Sequence, residues 1–184
     1  MSGTRQSIRL PKYDYSQNGA YFVTMCTMNR ESLFGEIRRG GISSTLGTKY
    51  RAPILDPTEF GKIAEQCWHE IPNHYPNVEL DAFIVMPNHI HGIICIVGAE
   101  YFLPDLPNQT NGFQYVISRS LSAIIRGYKI GVTKGCRAIM PGIDIWQRNF
   151  YEYVVRDEED LNRIREYIIY NPTNWREDEM NGGP

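Results

Sequence analysis

Apolar positions along the chain switch between a period of two and a helical period, and the switches predict the elements. The run YFVTMCTM at 21–28 is dense in β-formers and reads as a first strand. Phe60, Ile63, Ala64, Cys67, Trp68 and Ile71 then recur at helical spacing, an apolar stripe that packs one helix face on a sheet. Asp56 as cap, Pro57 in the first position and Glu59 completing a capping box open that helix, and Pro72 stops it. Val78 to Val85 and Ile90 to Val97 supply two more strands, joined by a turn at Pro87-Asn88. A second helix is predicted from about Phe113 to about Ile130. Ile117, Leu121, Ile124, Ile125 and Tyr128 share one face of it, and Arg119, Ser122, Arg126 and Lys129 the other. A Gly-rich, basic stretch follows at 131–144, then a strand at Tyr151 to Val155. The last helix is capped by Asp157, carries acidic residues in its first turn, runs to about Tyr170 and is stopped by Asn171-Pro172.

The order β, α, β, β, α, β, α implies an α+β fold. Its expected form is a ferredoxin-like antiparallel sheet with helices on one face and an added C-terminal helix. One domain is expected over 1–184, with an N-terminal arm at 1–20, a loop or hairpin insertion at 35–56 and a polar tail at 173–184.

Hydrophobic content of 42% and charged content of 22% fit an ordinary globular protein, and the formal net charge of −2 advertises no polyanionic partner. The charge is uneven, however. No Asp or Glu occurs between Pro107 and Ile143, whereas Arg119, Arg126, Lys129, Lys134 and Arg137 do. Such a stripe is either a nucleic-acid contact or a solvated helix face. The four cysteines form no CxxC pair and suit buried thiols in a reducing compartment. With no apolar run long enough to span a bilayer, the expectation is a cytoplasmic protein without a membrane partner.

The candidate chemistry centres on Met86-Pro87-Asn88-His89-Ile90-His91-Gly92. Alternate strand side chains share a face, so His89 and His91 project together and can grip one divalent ion. The plainer reading of such a pair is two half-buried strand residues. His69 and His74 are expected at the surface, and they lack the spacing of a zinc-protease motif. Tyr167 and Asn171, four residues apart, share a face of the last helix. One reading makes them a core-edge aromatic and a C-terminal cap. The other makes Tyr167 a nucleophile and Asn171 a metal ligand through its amide oxygen. Trp146-Gln147-Arg148-Asn149-Phe150-Tyr151 could stack on bases or simply pack.

Together these segments resemble the HUH single-tyrosine transposases, specifically the REP-associated tyrosine transposases. The resemblance is carried by Gly19-Ala20-Tyr21-Phe22-Val23-Thr24, Asn29-Arg30, Gly61-Lys62-Ile63, VMPNHIHG at 85–92, IWQRNFYEYVVRDEEDL at 145–161 and EYIIYNP at 166–172. It implies Mg²⁺ or Mn²⁺ held by His89, His91 and Asn171, with Tyr167 as nucleophile and Tyr170 the lesser candidate. It implies cleavage and rejoining of single-stranded DNA near a hairpin through a 5′-phosphotyrosine link, by a monomer or a homodimer. Arg119, Arg126, Lys129, Lys134, Arg137 and Arg148 are then the expected DNA contacts. Tyr153 stands where relatives often carry His, and 35–56 is longer and more Gly-rich than in compact relatives. Two other readings are a noncatalytic nucleic-acid-binding module on an RRM-like sheet and a hydrolytic metal nuclease that does without Tyr167.

Overall fold

The computed structural model describes residues 14–39, 53–98 and 120–175. Most of the expected arm, the middle of the 35–56 insertion, Arg119 and the tail from 176 lie outside the described residues. Four strands form the main sheet: β1 (Gly19–Cys26), β4 (Val78–Val85), β5 (His89–Ile96) and β6 (Tyr151–Val154). Their spatial order is β4-β5-β1-β6, with every pair antiparallel. A separate two-stranded ribbon joins β2 (Gly35–Arg39) to β3 (Pro53–Pro57), so the described ends of the insertion form a hairpin. The helices are α1 (Glu59–His69), the short α2 (Ile71–His74), α3 (Leu121–Ile139) and α4 (Glu158–Asn174). This is the ferredoxin-like α+β arrangement with one helix added.

Strand alternation sorts the core into two clusters. Tyr21, Val23 and Met25 of β1, with Ile90, Ile94 and Ile96 of β5, meet Ala64 and Trp68 of α1 and Leu121, Ile124, Ile125, Tyr128 and Val132 of α3. On the opposite face a smaller cluster joins Phe22 and Ile93 to Ile164 and Ile168 of α4. The sheet is therefore thickly covered on one side and covered by α4 on the other.

The boundaries of three helices differ from expectation, each for a local reason. Thr58, not Asp56, caps α1 by accepting from the Gly61 amide at 3.2 Å. Asp56 instead belongs to β3, where it pairs with Arg38 at 2.9 Å. Helix α1 ends at His69, and Pro72 opens α2 rather than closing α1, because Pro is tolerated in a first turn. Helix α3 starts after its Ser120 cap and runs on through the Gly-rich stretch to Ile139. Its glycines face the neighbouring helices: a Cβ on Gly127 would sit 2.5 Å from the Tyr75 hydroxyl, and one on Gly135 2.8 Å from Ile63 Cγ2. Close helix approach, rather than a chain break, is what they serve. Helix α4 likewise passes through Pro172 to Asn174. In a last turn Pro forfeits a single backbone bond, and this Pro lines an apolar recess with Leu55 of β3 and Phe83 of β4.

Candidate active site

The register of β1 on β5 sets the floor of the site. Thr24 pairs with His91 and Cys26 with His89, which puts Phe22, Thr24, His89, His91 and Ile93 on the face beneath α4. The two imidazole centroids are 4.5 Å apart, and both rings are buried. Phe22 stacks on His91 at 5.4 Å between centroids and meets the Tyr167 ring edge-on at 6.0 Å. Above them, the Tyr167 hydroxyl stands 3.4 Å from His91 Nε2, and the Tyr167 side chain is 47% exposed. A buried base and a solvent-facing phenol thus meet within one chain.

Each histidine is gripped through its other nitrogen. Thr24 Oγ1 lies 2.8 Å from His91 Nδ1, and Asn88 Oδ1 lies 2.8 Å from His89 Nδ1. Burial, then the neighbouring His89, pushes the His91 pKa well below its ordinary 6.5, so that ring is neutral at pH 7. Asn171 is 2% exposed and lies inside α4, so it is not the C-terminal cap of that helix. Its Oδ1 is buried and has no hydrogen-bond partner among the described residues. The Trp175 ring, just past α4, is 5.9 Å from that of His89.

Helix α4 is held over this floor by Ile164 and Ile168 and by one ion pair. Arg165 donates from Nε to Asp81 Oδ1 at 2.9 Å and from NH2 to Oδ2 at 2.6 Å, a two-point fork onto β4. Asn162 and Glu158 accept from the NH1 of the same guanidinium. The hydrogen bonds from Arg165 hold the Asp81 carboxyl below its usual pKa.

No protein-family model matches the chain. An uncharacterised protein of Haemophilus influenzae is 38% identical over 179 residues, spanning 96% of this chain and 92% of its own. A second protein of that organism, named "Putative REP-associated tyrosine transposase", is 24% identical over 165 residues, 86% of this chain and 73% of its own. The chain is similar to the REP-associated tyrosine transposases. A solved REP-associated tyrosine transposase, bound to a REP hairpin, shares the fold with a TM-score of 0.54. The two are 20% identical, and the match covers 91% of this chain and 74% of that one. This kinship supports a transposase role.

The chain brings Tyr167, His89 and His91 to one face. Among the described residues no three His, Cys, Asp or Glu side chains converge as a metal site, so a third protein ligand would have to be an amide or hydroxyl oxygen. Asn171 Oδ1, buried and without a hydrogen bond, has the chemistry of such a ligand. Two imidazoles and an amide oxygen fit a divalent ion of the Mg²⁺ or Mn²⁺ kind, with the nitrogens favouring Mn²⁺.

The basic residues scatter. Arg126, Lys134 and Arg137 are exposed on α3, across the sheet from Tyr167. Arg137 is engaged with the Ile143 carbonyl and Asp144. Lys129 does not face outward as its helical position suggested. Its ammonium donates to the carbonyls of Gln147 at 3.0 Å and Asn149 at 2.9 Å and lies 5.4 Å from the Trp146 ring centre. Burial brings its pKa down to about 8. That clasp pins the 145–149 segment, which also bonds to β1 through Gln147 N–H to Cys26 O at 3.0 Å. Exposed Arg148 therefore rides at the strand end where Cys26 pairs with His89. Tyr153 pairs with Phe22 on the α4 face and packs in its small core. His69 and His74 are exposed, and Tyr170 is 59% exposed.

Sequence reasoning missed Thr24, Arg165 and Asp81, and it read Asn88 only as a turn former. Thr24 shares the two-residue period with Phe22, a signal that it faces the same way. Nothing in the sequence says that strand β1 lies beside the histidines. Among the described residues, no helix is long and apolar enough to cross a membrane.

Proposed function

We propose that the protein is a metal-dependent single-stranded DNA transesterase, a transposase that nicks and rejoins DNA beside hairpins through a 5′-phosphotyrosine link on Tyr167. The observation that carries this reading is the approach of the Tyr167 hydroxyl to His91, with His89 alongside, in one chain. In the forward step the phenol oxygen bonds to the scissile phosphorus and the P–O3′ bond breaks. The phenol proton passes to water, which the half-exposed side chain can reach, and the departing 3′ oxygen takes a proton from water to become a free hydroxyl. Rejoining reverses these events when a 3′-hydroxyl attacks the phosphotyrosine. The bond exchange is near balance, so no nucleotide cofactor is required.

A phenol with an ordinary pKa near 10 is a weak nucleophile at pH 7. A bound Mg²⁺ or Mn²⁺ would polarise the phosphate and offset charge developing on its oxygens. His89, His91 and Asn171 are the residues that would hold it. The chain itself supplies position: Ile164, Ile168 and the Arg165–Asp81 fork set the height and rotation of α4, and with them the line of attack. Arg148, at the His89 end of the sheet, is the basic side chain best placed for a strand entering the site. Arg126, Lys134 and Arg137 would meet only DNA that passes around to the far face. Helix α4 covers the sheet face that an RRM-like reader would leave open, which disfavours that alternative.

The test incubates the protein with a labelled hairpin oligonucleotide carrying single-stranded flanks and Mn²⁺, followed by a denaturing gel. A slow-migrating covalent adduct is expected, absent with Tyr167→Phe and absent with chelator. An adduct that survives Tyr167→Phe overturns the nucleophile assignment. Cleaved product without adduct supports a hydrolytic nuclease instead.

A further inference from the structure

We infer that Asn88 is a positioning residue that fixes the tautomer of His89, placing the proton on Nδ1 and the lone pair on Nε2. Its use in holding a metal rests on the function proposed above, but the tautomer itself is a property of the metal-free chain.

The backbone around the turn fixes the surroundings of Asn88. Asn29 and Arg30 both adopt left-handed conformations, with φ of 53° and 57°, inside the short turn Met28–Arg30. Non-glycine residues take such conformations rarely and at a cost, and two in succession call for a return elsewhere. Here the turn presents the Arg30 carbonyl, which accepts from Asn88 Nδ2 at 3.1 Å. The backbone on either side is clamped by the same segment: the Thr27 amide donates to Asn88 O at 2.9 Å and the Phe34 amide to Pro87 O at 2.9 Å. Asn88 is 2% exposed, so water does not compete for its amide.

This contact decides which end of the Asn88 amide faces the histidine. With Nδ2 committed to a carbonyl, Oδ1 is the atom 2.8 Å from His89 Nδ1. The reverse orientation would set Oδ1 against the Arg30 carbonyl oxygen, two acceptors with no proton between them. An amide oxygen can only accept, so His89 Nδ1 must donate, and in the neutral ring Nε2 is left with the lone pair. An unconstrained neutral imidazole prefers the opposite tautomer, with its proton on Nε2, which cannot ligate a metal through that atom. His91 is different, since the Thr24 hydroxyl at its Nδ1 can either donate or accept and imposes neither form. One histidine is therefore set in advance, and the other adapts.

The experiment reads the proton directly, by long-range ¹H–¹⁵N correlation of the histidine side chains in metal-free protein above pH 7. For the wild type, His89 is expected with the proton on Nδ1. A proton on Nε2 overturns the inference whether or not the protein binds metal. Asn88→Ala is expected to move the proton toward Nε2 and to weaken Mn²⁺ binding, titrated by EPR, by roughly 10- to 100-fold. An unchanged tautomer in folded Asn88→Ala also overturns it. Asn88→Asp keeps an acceptor at Nδ1 and should retain the wild-type tautomer even if it loosens the turn. A proton shifted to Nε2 in that variant counts against the inference. Wild-type protein with His89 protonated on Nδ1 but no Mn²⁺ binding would sink the metal site and leave the tautomer assignment intact.

Discussion

On the α1/α3 side the sheet lays Tyr21, Val23, Met25, Ile90 and Ile94 against two helices, with Trp68 stacked on Phe83 at 4.5 Å and edge-on to Tyr128 at 5.6 Å. On the other side the same two strands offer Phe22, Thr24, His89, His91 and Ile93 to one helix, which answers with Ile164 and Ile168. The contrast teaches a division of labour. Buried apolar area, the main source of stability, is concentrated where there is no chemistry. The polar floor can then hold two buried imidazoles because the opposite face already holds the sheet together.

Substitutions on the two faces should therefore differ in kind. Trp68→Ala, on the thick side, should lose about 3–5 kcal/mol in urea unfolding, with nicking per folded molecule unchanged. Next comes Gly92→Ala, whose new Cβ would lie 2.4 Å from the Trp68 ring. Overpacking there should cost about 1–3 kcal/mol. Gly92 follows His91 in β5, so this variant also reports whether strain on the thick side reaches the site: a nicking loss beyond the folded fraction would show coupling.

On the thin side, Arg165→Met removes a fork whose partners are 35% and 20% exposed. Allowing for solvent screening, the expected cost is about 1 kcal/mol, seen as faster amide exchange in α4 with the sheet unaltered. Loss of protection across the whole sheet would contradict the division drawn here. The protonation of His91 should give a gentler signal. Its pKa is lower folded than unfolded, so the unfolded chain binds the proton first. The stability it contributes is complete above about pH 6.5 and is lost as pH falls from there toward the folded value. In chelator, urea midpoints should decline over that window for the wild type and less so for His91→Gln. Smallest of all, Tyr167→Phe should change stability by less than about 0.5 kcal/mol, since only a half-exposed hydroxyl is removed.

Much of this arrangement was legible in the sequence wherever the signal is local. The hairpin around Pro87-Asn88 and the shared face of His89 and His91 follow from turn chemistry and strand alternation alone. Tyr167 and Asn171 follow from four-residue spacing on a helix. Local rules misled where a partner distant in sequence took over. Asp56 is a good cap by type, but Arg38 draws it into a strand pair. The glycines of α3 read as breakers until α1 and α2 are placed against them. Lys129 sits on the polar side of its helix by period, yet two loop carbonyls turn it inward. Thr24 and His91 are 67 residues apart, and only strand register joins them.

The fork between Arg165 and Asp81 spans 84 residues of sequence, and α4 follows every strand of the sheet in the chain. Order along the chain becomes order in time on the ribosome, where earlier segments emerge and fold first. The four strands and both thick-side helices can close before α4 is free to dock. Tyr167 then reaches the histidines last, so a nascent chain holds the floor of the site before it holds the proposed nucleophile.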